Sequence, residues 1–256
     1  MIATAEAAQL ENSTAEEVLA WGLETFGERL VICTSFQTEG MVIVDMATRL
    51  SPRVRVVTLD TGRLPQQTYD LMGEVHHRYG IRVEAVFPDA RELEAMETSH
   101  GPNLFYESVP RRMLCCEIRK VRPLDRKLGT LGAWVTGVRR EQSESRAEVR
   151  KVEIDAAHGG IVKLSPLADW SAAQVEAYTR EHQVPRHALY AQGYTSIGCA
   201  PCTRPTAPGE DARAGRWWWE RDARKECGIH FSAEGKVERE VDVLLEEILD
   251  AAWFST

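Results

Sequence analysis

A chain of 256 residues is long enough to bury a sizeable core, and its apolar (43%) and charged (27%) fractions are those of an ordinary globular protein. The formal net charge of −8 argues against a general nucleic-acid binder, which carries a basic face, and no run approaches the roughly 20 apolar residues that span a bilayer. The N-terminal stretch from Met1 to Glu6 lacks the basic region and apolar run of a secretory signal, so a cytoplasmic protein without nucleic-acid or membrane partners is expected.

Taken along the chain, Thr14 to Glu17 reads as a capping box opening a helix that runs to about Phe26. Leu30 to Cys33 reads as a buried strand, Thr34 to Gly40 as a loop, and Met41 to Leu50 as a helix. Val54 to Leu59 is a second strand, and Pro65 to Tyr79 a helix with proline in its first turn. Arg82 to Phe87 is a third strand, a short helix follows near Arg91 to Thr98, and Trp134 to Gly137 ends a further strand. This rhythm predicts an α/β fold, a doubly wound and mostly parallel sheet with helices on both faces. Its ligands belong beyond the carboxyl ends of the strands.

No repeat or low-complexity linker divides the sequence, so residues 1–256 read as one domain. Thr203 to Gly215 is rich in proline, glycine and charge and reads as an exposed connection; residues 203–230 are expected to be a mobile segment. In the last helix, 239–253, Val241, Leu244, Leu245, Ile248 and Ala252 recur at helical spacing. That stripe should pack on the body or on a second copy in a homo-oligomer.

Cations cluster at Arg111-Arg112, at Arg119-Lys120-Arg122, at Arg139-Arg140 with Arg146, and at Arg213 with Arg216. On an acidic protein such local clusters suit a small anion better than a polymer, although any one of them can be a solvated helix face. Six cysteines in a reducing compartment point to metal binding or catalysis rather than disulfides. Cys199-Ala200-Pro201-Cys202 is a tight turn fit for half a zinc knuckle, a redox dithiol or half an iron–sulfur site. Cys115 and Cys116 are adjacent, and neighbouring side chains diverge, which suits the separated iron corners of a [4Fe–4S] cluster better than one zinc ion. If Cys116 opens a helix, Arg119 and Lys120 share its face, and Pro123 limits how far that helix continues. Cys227 stands alone among charged neighbours, Lys225 and His230 included, that would favour a reactive thiolate. Cys33 lies in a predicted buried strand and reads as core.

The chain resembles the assimilatory adenylyl-sulfate (APS) reductases, relatives of PAPS reductase within the adenine nucleotide α-hydrolase-like group. The matching segments are Ser35-Phe36-Gln37, Leu59-Asp60-Thr61-Gly62-Arg63, Cys115-Cys116 with Arg119-Lys120, Thr136 to Arg140, Ser196 to Cys202, Gly215 to Trp219, and Glu226 to His230. The resemblance implies that Cys115, Cys116, Cys199 and Cys202 hold a [4Fe–4S] cluster and that Cys227 is the nucleophile. It implies a phosphate-facing loop at Ser35, Phe36 and Gln37, and an adenine contact at Leu59. Arg119, Lys120, Arg146, Arg213, Arg216, Trp217 and His230 would line the phosphosulfate pocket. It further implies thioredoxin or a similar dithiol protein as reductant, with adenosine 5'-phosphosulfate consumed and AMP and sulfite released.

Three other readings remain. PAPS reduction uses the same fold and nucleophile, usually without the cysteine pairs. An ATP-using RNA-modifying enzyme would need a glycine-rich pyrophosphate loop that Ser35 to Glu39 does not supply. An iron–sulfur or zinc sensor would have no use for Cys227 and the surrounding arginines.

Overall fold

The structure is a computed structural model and describes residues 4–220 and 236–253. The described residues fall into two compact units built from interleaved stretches of chain. The first comprises 4–58, 65–85 and 127–192, the second 59–64, 86–126, 193–220 and 236–253.

The first unit is organised on six short strands: β1 (Leu30–Cys33), β2 (Val56–Leu59), β3 (Val83–Val86), β4 (Ala133–Val135), β5 (Val152–Asp155) and β6 (Ile161–Leu164). Their order in the sheet is β3-β2-β1-β4-β6-β5. β1 runs parallel to β2 and β4, and β4 parallel to β6, while β5 closes the edge antiparallel to β6. The chain thus steps from β1 toward one edge and returns for β4 on the other side. Such a reversal is a topological switch point, where loops at the carboxyl ends of adjacent strands part and leave a crevice.

Helices α1 (Thr4–Leu10), α2 (Ala15–Phe26), α3 (Thr38–Leu50), α4 (Gln66–Tyr79) and α8 (Ala172–Glu181) belong to this unit. The expected capping box forms: Thr14 Oγ1 accepts from the Glu17 N–H at 3.2 Å, and the Thr14 N–H donates to Glu17 at 2.7 Å. Val18, Leu19, Ile32, Val42, Ile43, Val56, Val135 and Leu164 are all at most 2% exposed, one core shared by sheet and helices. Each such side chain contributes about 1.5–3 kcal/mol by leaving water.

α3 begins at Thr38, three residues before the sequence predicts, so the loop after β1 is only Thr34 to Gln37. Phe36 makes this possible. It adopts φ 59°, a left-handed conformation uncommon for an aromatic residue, which reverses the chain at once. Gly40 therefore lies within the helix rather than in a loop. A Cβ on Gly40 would overlap the Thr34 hydroxyl, the acceptor at 2.9 Å for the Phe36 N–H.

The second unit holds α5 (Ala90–His100), α6 (Val109–Cys116), α7 (Arg122–Leu128, as far as Arg126) and α9 (Lys236–Trp253). α6 is capped by Ser108, whose side chain accepts from the Arg111 N–H, with Pro110 in the first turn. Cys116 therefore ends α6 instead of opening a helix. Beyond it the backbone stays helical through a π turn, Glu117–Val121, and into α7. Pro123 has no N–H to give the carbonyl four residues back, and the wider π turn just before it removes that demand. The stripe on α9 packs on this unit itself, with Ile248 1% exposed and α9 lying along α5 and α6.

An alanine in a helix normally stabilises relative to glycine by up to about 1 kcal/mol. Gly40→Ala should do the opposite, lowering stability by about 1–3 kcal/mol through overpacking against Thr34. An unfolding midpoint equal to or above the parent's would show that the Thr34–Gly40 contact is loose.

Candidate active site

In the first unit, Ser35, Phe36 and Gln37 form the turn between β1 and α3. Ser35 is exposed and accepts from Gln37 Nε2 at 3.1 Å, whereas Phe36 is 0% exposed and anchors the turn in the core. The Thr38 N–H, at the opening of α3, donates to the Tyr190 hydroxyl at 3.3 Å. Gly137, after β4, lies so close that a Cβ there would sit 3.0 Å from Glu39 Cβ and 3.1 Å from the Gly40 nitrogen. The two loops of the switch point are thus pressed together. A helix start of this kind, with its dipole positive at that end, suits an anion.

The arginines of this unit divide by partner. Arg139 gives its guanidinium to Glu39, Glu141 and the Trp170 carbonyl at 3.0–3.1 Å. Arg140 binds the Val149 carbonyl at 2.8 Å and Glu11. Both are structural. Arg146 is 9% exposed and donates to Gln142 Oε1.

The second unit gathers the cysteines. Cys115, Cys116, Cys199 and Cys202 are each 7–8% exposed, carry free thiols, and share one buried group with Leu114, Ile118, Trp217 and Ile248. Burial raises the Cys202 thiol to about 12, helped by Cys199 and Cys115, and raises the Cys115 thiol as well. For Cys199, burial also opposes the thiolate, but Lys120, the Thr61 hydroxyl, Arg216 and Arg119 together prevail and its pKa falls below the ordinary value. Thr61 Oγ1 lies 3.3 Å from Cys199 Sγ.

Local bonds shape this group. The Cys202 N–H closes the turn onto the Cys199 carbonyl at 2.9 Å. The Thr203 hydroxyl donates to the same carbonyl at 3.0 Å and accepts from the Gly198 N–H at 3.1 Å. Ala200 N–H binds the Arg63 carbonyl at 2.8 Å, and Tyr106 binds that of Pro201 at 3.0 Å. Arg119, 4% exposed, donates to the Thr61 carbonyl at 2.6 Å and pairs with Glu97. A hollow of about 510 Å³ is lined by Gly62, Arg63, Leu93, Glu97, Arg119 and Ala200, among others. Leu59 is half-buried at the end of β2.

Arg216 lies against Gly198, where any Cβ would overlap its guanidinium, and donates to the Ile197 carbonyl at 3.2 Å. Its guanidinium and that of Arg112 sit over the Trp217 ring at 4.7 and 4.6 Å. Trp217 is 1% exposed and is therefore core in this unit, at φ 41°. The segment from Thr203 to Gly215, expected as an exposed connection, is a loop with a paired stem: Thr203 bridges Arg216, and Arg204 N–H binds the Gly215 carbonyl at 3.0 Å. Arg213, half-buried, stands on that loop. Cys227 and His230 lie outside the described residues, as does the remainder of the 203–230 segment from 221 onward. Cys33 is half-buried in β1, and burial pushes its thiol up to about 12, consistent with an inert position.

Sequence reasoning missed the Arg112–Glu220 pair, bonded at 2.9 and 3.2 Å with both side chains at most 4% exposed. The partners are 108 residues apart, and no local pattern links them. Thr61 lay inside a matched segment, but nothing local marked its hydroxyl as a sulfur contact.

Fold and site together define an adenine nucleotide α-hydrolase-like α/β protein with a buried group of four thiols. A model of the phosphoadenosine phosphosulfate reductase domain matches residues 29–205. The chain belongs to that family and is an oxidoreductase of it. It is 48% identical to an adenosine 5'-phosphosulfate reductase of Allochromatium vinosum, over 79% of each chain. It is 45% identical to one of Burkholderia cepacia, over 90% of this chain and 93% of the other. Among solved structures, the PAPS reductase of Candida auris in a phosphate complex matches with a TM-score of 0.67 and 31% identity, over 80% of this chain and 98% of the other. An FMN adenylyltransferase of Candida glabrata shares the fold alone, at 14% identity and a TM-score of 0.53 over 94% of this chain and 82% of the other.

Removing one partner of a buried ion pair leaves an uncompensated charge, at a cost of about 3–5 kcal/mol. Arg112→Leu should destabilise the protein by that amount in chemical unfolding, and Glu220→Gln added to it should recover part of the loss. Equal stability of the parent and Arg112→Leu would mean that the pair is solvated.

Proposed function

We propose that this chain reduces adenosine 5'-phosphosulfate to sulfite and AMP in sulfate assimilation, with Cys227 as nucleophile and a [4Fe–4S] cluster held by Cys115, Cys116, Cys199 and Cys202. The observation that carries this reading is the buried four-thiol group with Lys120, Arg119 and Arg216 acting on it. It stands in a chain 48% and 45% identical to two proteins named for that reaction.

The donor set fits such a cluster. The four donors are all sulfur, and soft thiolates select iron–sulfur or zinc centres. Among the described residues no three His, Cys, Asp or Glu side chains converge on a point that one metal ion could occupy. The four thiols share one apolar environment, as the ligands of a multi-iron group would. When bound, the cluster supplies a compact negative charge and a structural tie, since four cysteine ligands leave its irons no open position.

In the reaction itself, the Cys227 thiolate attacks the sulfonyl sulfur of the phosphosulfate. A sulfur–sulfur bond forms, the bond from sulfur to the bridging oxygen breaks, and AMP leaves with the electron pair. An anion must approach an anion, so preorganised cations are the main requirement. Arginine supplies paired donors that match phosphate and sulfate oxygens. In this reading Ser35, Phe36 and Gln37 face the nucleotide, Leu59 contacts the adenine, and Lys120, Arg146, Arg213, Arg216 and His230 meet the phosphosulfate. Thioredoxin or a similar dithiol protein then attacks the Cys227 sulfur, expels sulfite with two electrons and becomes a disulfide, which restores Cys227. Free thiols throughout the described residues accord with a reducing compartment such as the cytoplasm.

PAPS is the second substrate to weigh, favoured by the name of the matching domain and by the 31% identical structure. Comparison of kcat/KM for the two nucleotides separates them, and a preference for PAPS overturns the substrate assignment.

Incubated with adenosine 5'-phosphosulfate and no reductant, the protein should gain the mass of one SO3 on Cys227, and Cys227→Ser should gain none and release no sulfite. A wild-type protein that stays unmodified while retaining its iron sinks the mechanism. Anaerobically purified protein should contain about four irons per chain, and Cys199→Ser should lose most of them. Iron-free protein with full activity excludes the cluster.

A further inference from the structure

Gln142 joins two pieces of the first unit. Its Nε2 donates to Glu39 Oε1 at 3.0 Å, and its Oε1 accepts from Arg146 Nη1 and, at 3.2 Å, from the Arg139 N–H. Glu39 lies in the first turn of α3, directly after the Ser35-Phe36-Gln37 turn. Arg146 closes the short helical turn Glu144–Arg146 beyond β4. The orientation of the amide follows from chemistry: a carboxylate only accepts and a guanidinium only donates, so the amide nitrogen must face Glu39 and the oxygen Arg146.

Glu39 needs this arrangement. An acidic side chain at the opening of α3 would repel an anion bound there. Arg139 Nε takes Glu39 Oε1 at 3.0 Å, and Gln142 takes the same oxygen. The carboxylate is thus turned aside and partly neutralised. Arg139 is in turn fixed by Glu141 and the Trp170 carbonyl. Arg146 is 9% exposed, so its guanidinium has little freedom once Gln142 holds one arm.

We propose that Gln142 is a positioning residue, which sets the direction of the Arg146 guanidinium and couples it, through Glu39, to the turn that faces the nucleotide. The inference rests on the phosphosulfate role assigned above to Arg146. Gln142 touches no reacting atom, and its effect runs through the arginine. A hydrogen bond to a charged group matters enough for its loss to weaken transition-state binding by about ten- to a hundredfold.

The test is a double-mutant cycle on the full chain, with steady-state kinetics and thermal unfolding measured for Gln142→Leu, Arg146→Ala and the pair. Gln142→Leu alone should lower kcat/KM for adenosine 5'-phosphosulfate about tenfold or more. In the Arg146→Ala background the same substitution should cost less than about threefold, because the group through which it acts is gone. Gln142→Glu, which keeps an acceptor for Arg146 but sets a second carboxylate against Glu39, should retain more activity than Gln142→Leu at low pH and lose that advantage as pH rises. Equal losses from Gln142→Leu in both backgrounds, or a loss matched by a large fall in melting temperature, would assign it a merely structural role. Should Arg146→Ala by itself leave kcat/KM unchanged, the phosphosulfate role of the arginine fails instead, and the two failures are told apart by that single variant.

Discussion

A thiol that is to ionise in an apolar interior, as Cys199 does among its buried neighbours, demands positive charge nearby, because an unpaired buried anion costs several kcal/mol. Much of the second unit is organised by that demand. Lys120, Arg216 and Arg119 act on Cys199, and each buried cation then requires acceptors of its own. Arg119 takes the Thr61 carbonyl and Glu97, and Arg216 takes the Ile197 carbonyl and the Trp217 face. Trp217 is shared with Arg112, and Arg112 is closed off by Glu220. Charge compensation therefore passes from sulfur outward through three layers, each fixing the next. The π turn after Cys116 belongs to the same economy, as it carries Arg119 and Lys120 close behind the vicinal cysteines.

The first unit is governed by steric constraint more than by charge. At the switch point between β1 and β4, Gly137 lets the loop after β4 lie close against the first turn of α3, and Gly40 lets α3 start hard against Thr34. Phe36 accepts an unfavourable backbone conformation because its ring is wholly buried. Strain held in place by packing is common where a loop must present its backbone to a ligand. Arginines that look alike in sequence have unlike tasks here. Arg139 and Arg140 bind carboxylates and carbonyls, whereas Arg146 donates to the neutral amide of Gln142.

Several elements were legible because their signals are local. The Thr14–Glu17 box, the apolar run from Leu30 to Cys33 and the stripe on α9 each reflect interactions within a few residues. Local signals also misled. Gly40 looks like loop punctuation, yet it lies in α3, because the chain reverses at Phe36, and it must be glycine because Thr34 leaves no room for a side chain. Cys116 looks like the start of a helix bearing Arg119 and Lys120, yet the helix starts at Val109, capped by Ser108, and widens into a π turn at Glu117. The β5–β6 edge escaped notice because β5 is half polar and β6 carries a lysine in its middle.

By itself the sequence determined the α/β alternation, the family motifs and the identity of the four paired cysteines, all of which depend on residue type and short spacing. Only the tertiary structure decided which cations meet the sulfurs, that Trp217 is a ring clasped between Arg112 and Arg216, and that Gln142 links Glu39 to Arg146. Those facts rest on side chains brought together from distant positions, Gln142 and Glu39 being 103 residues apart. Electrostatic compensation acts through space, and a linear pattern holds no record of which charge will lie beside which.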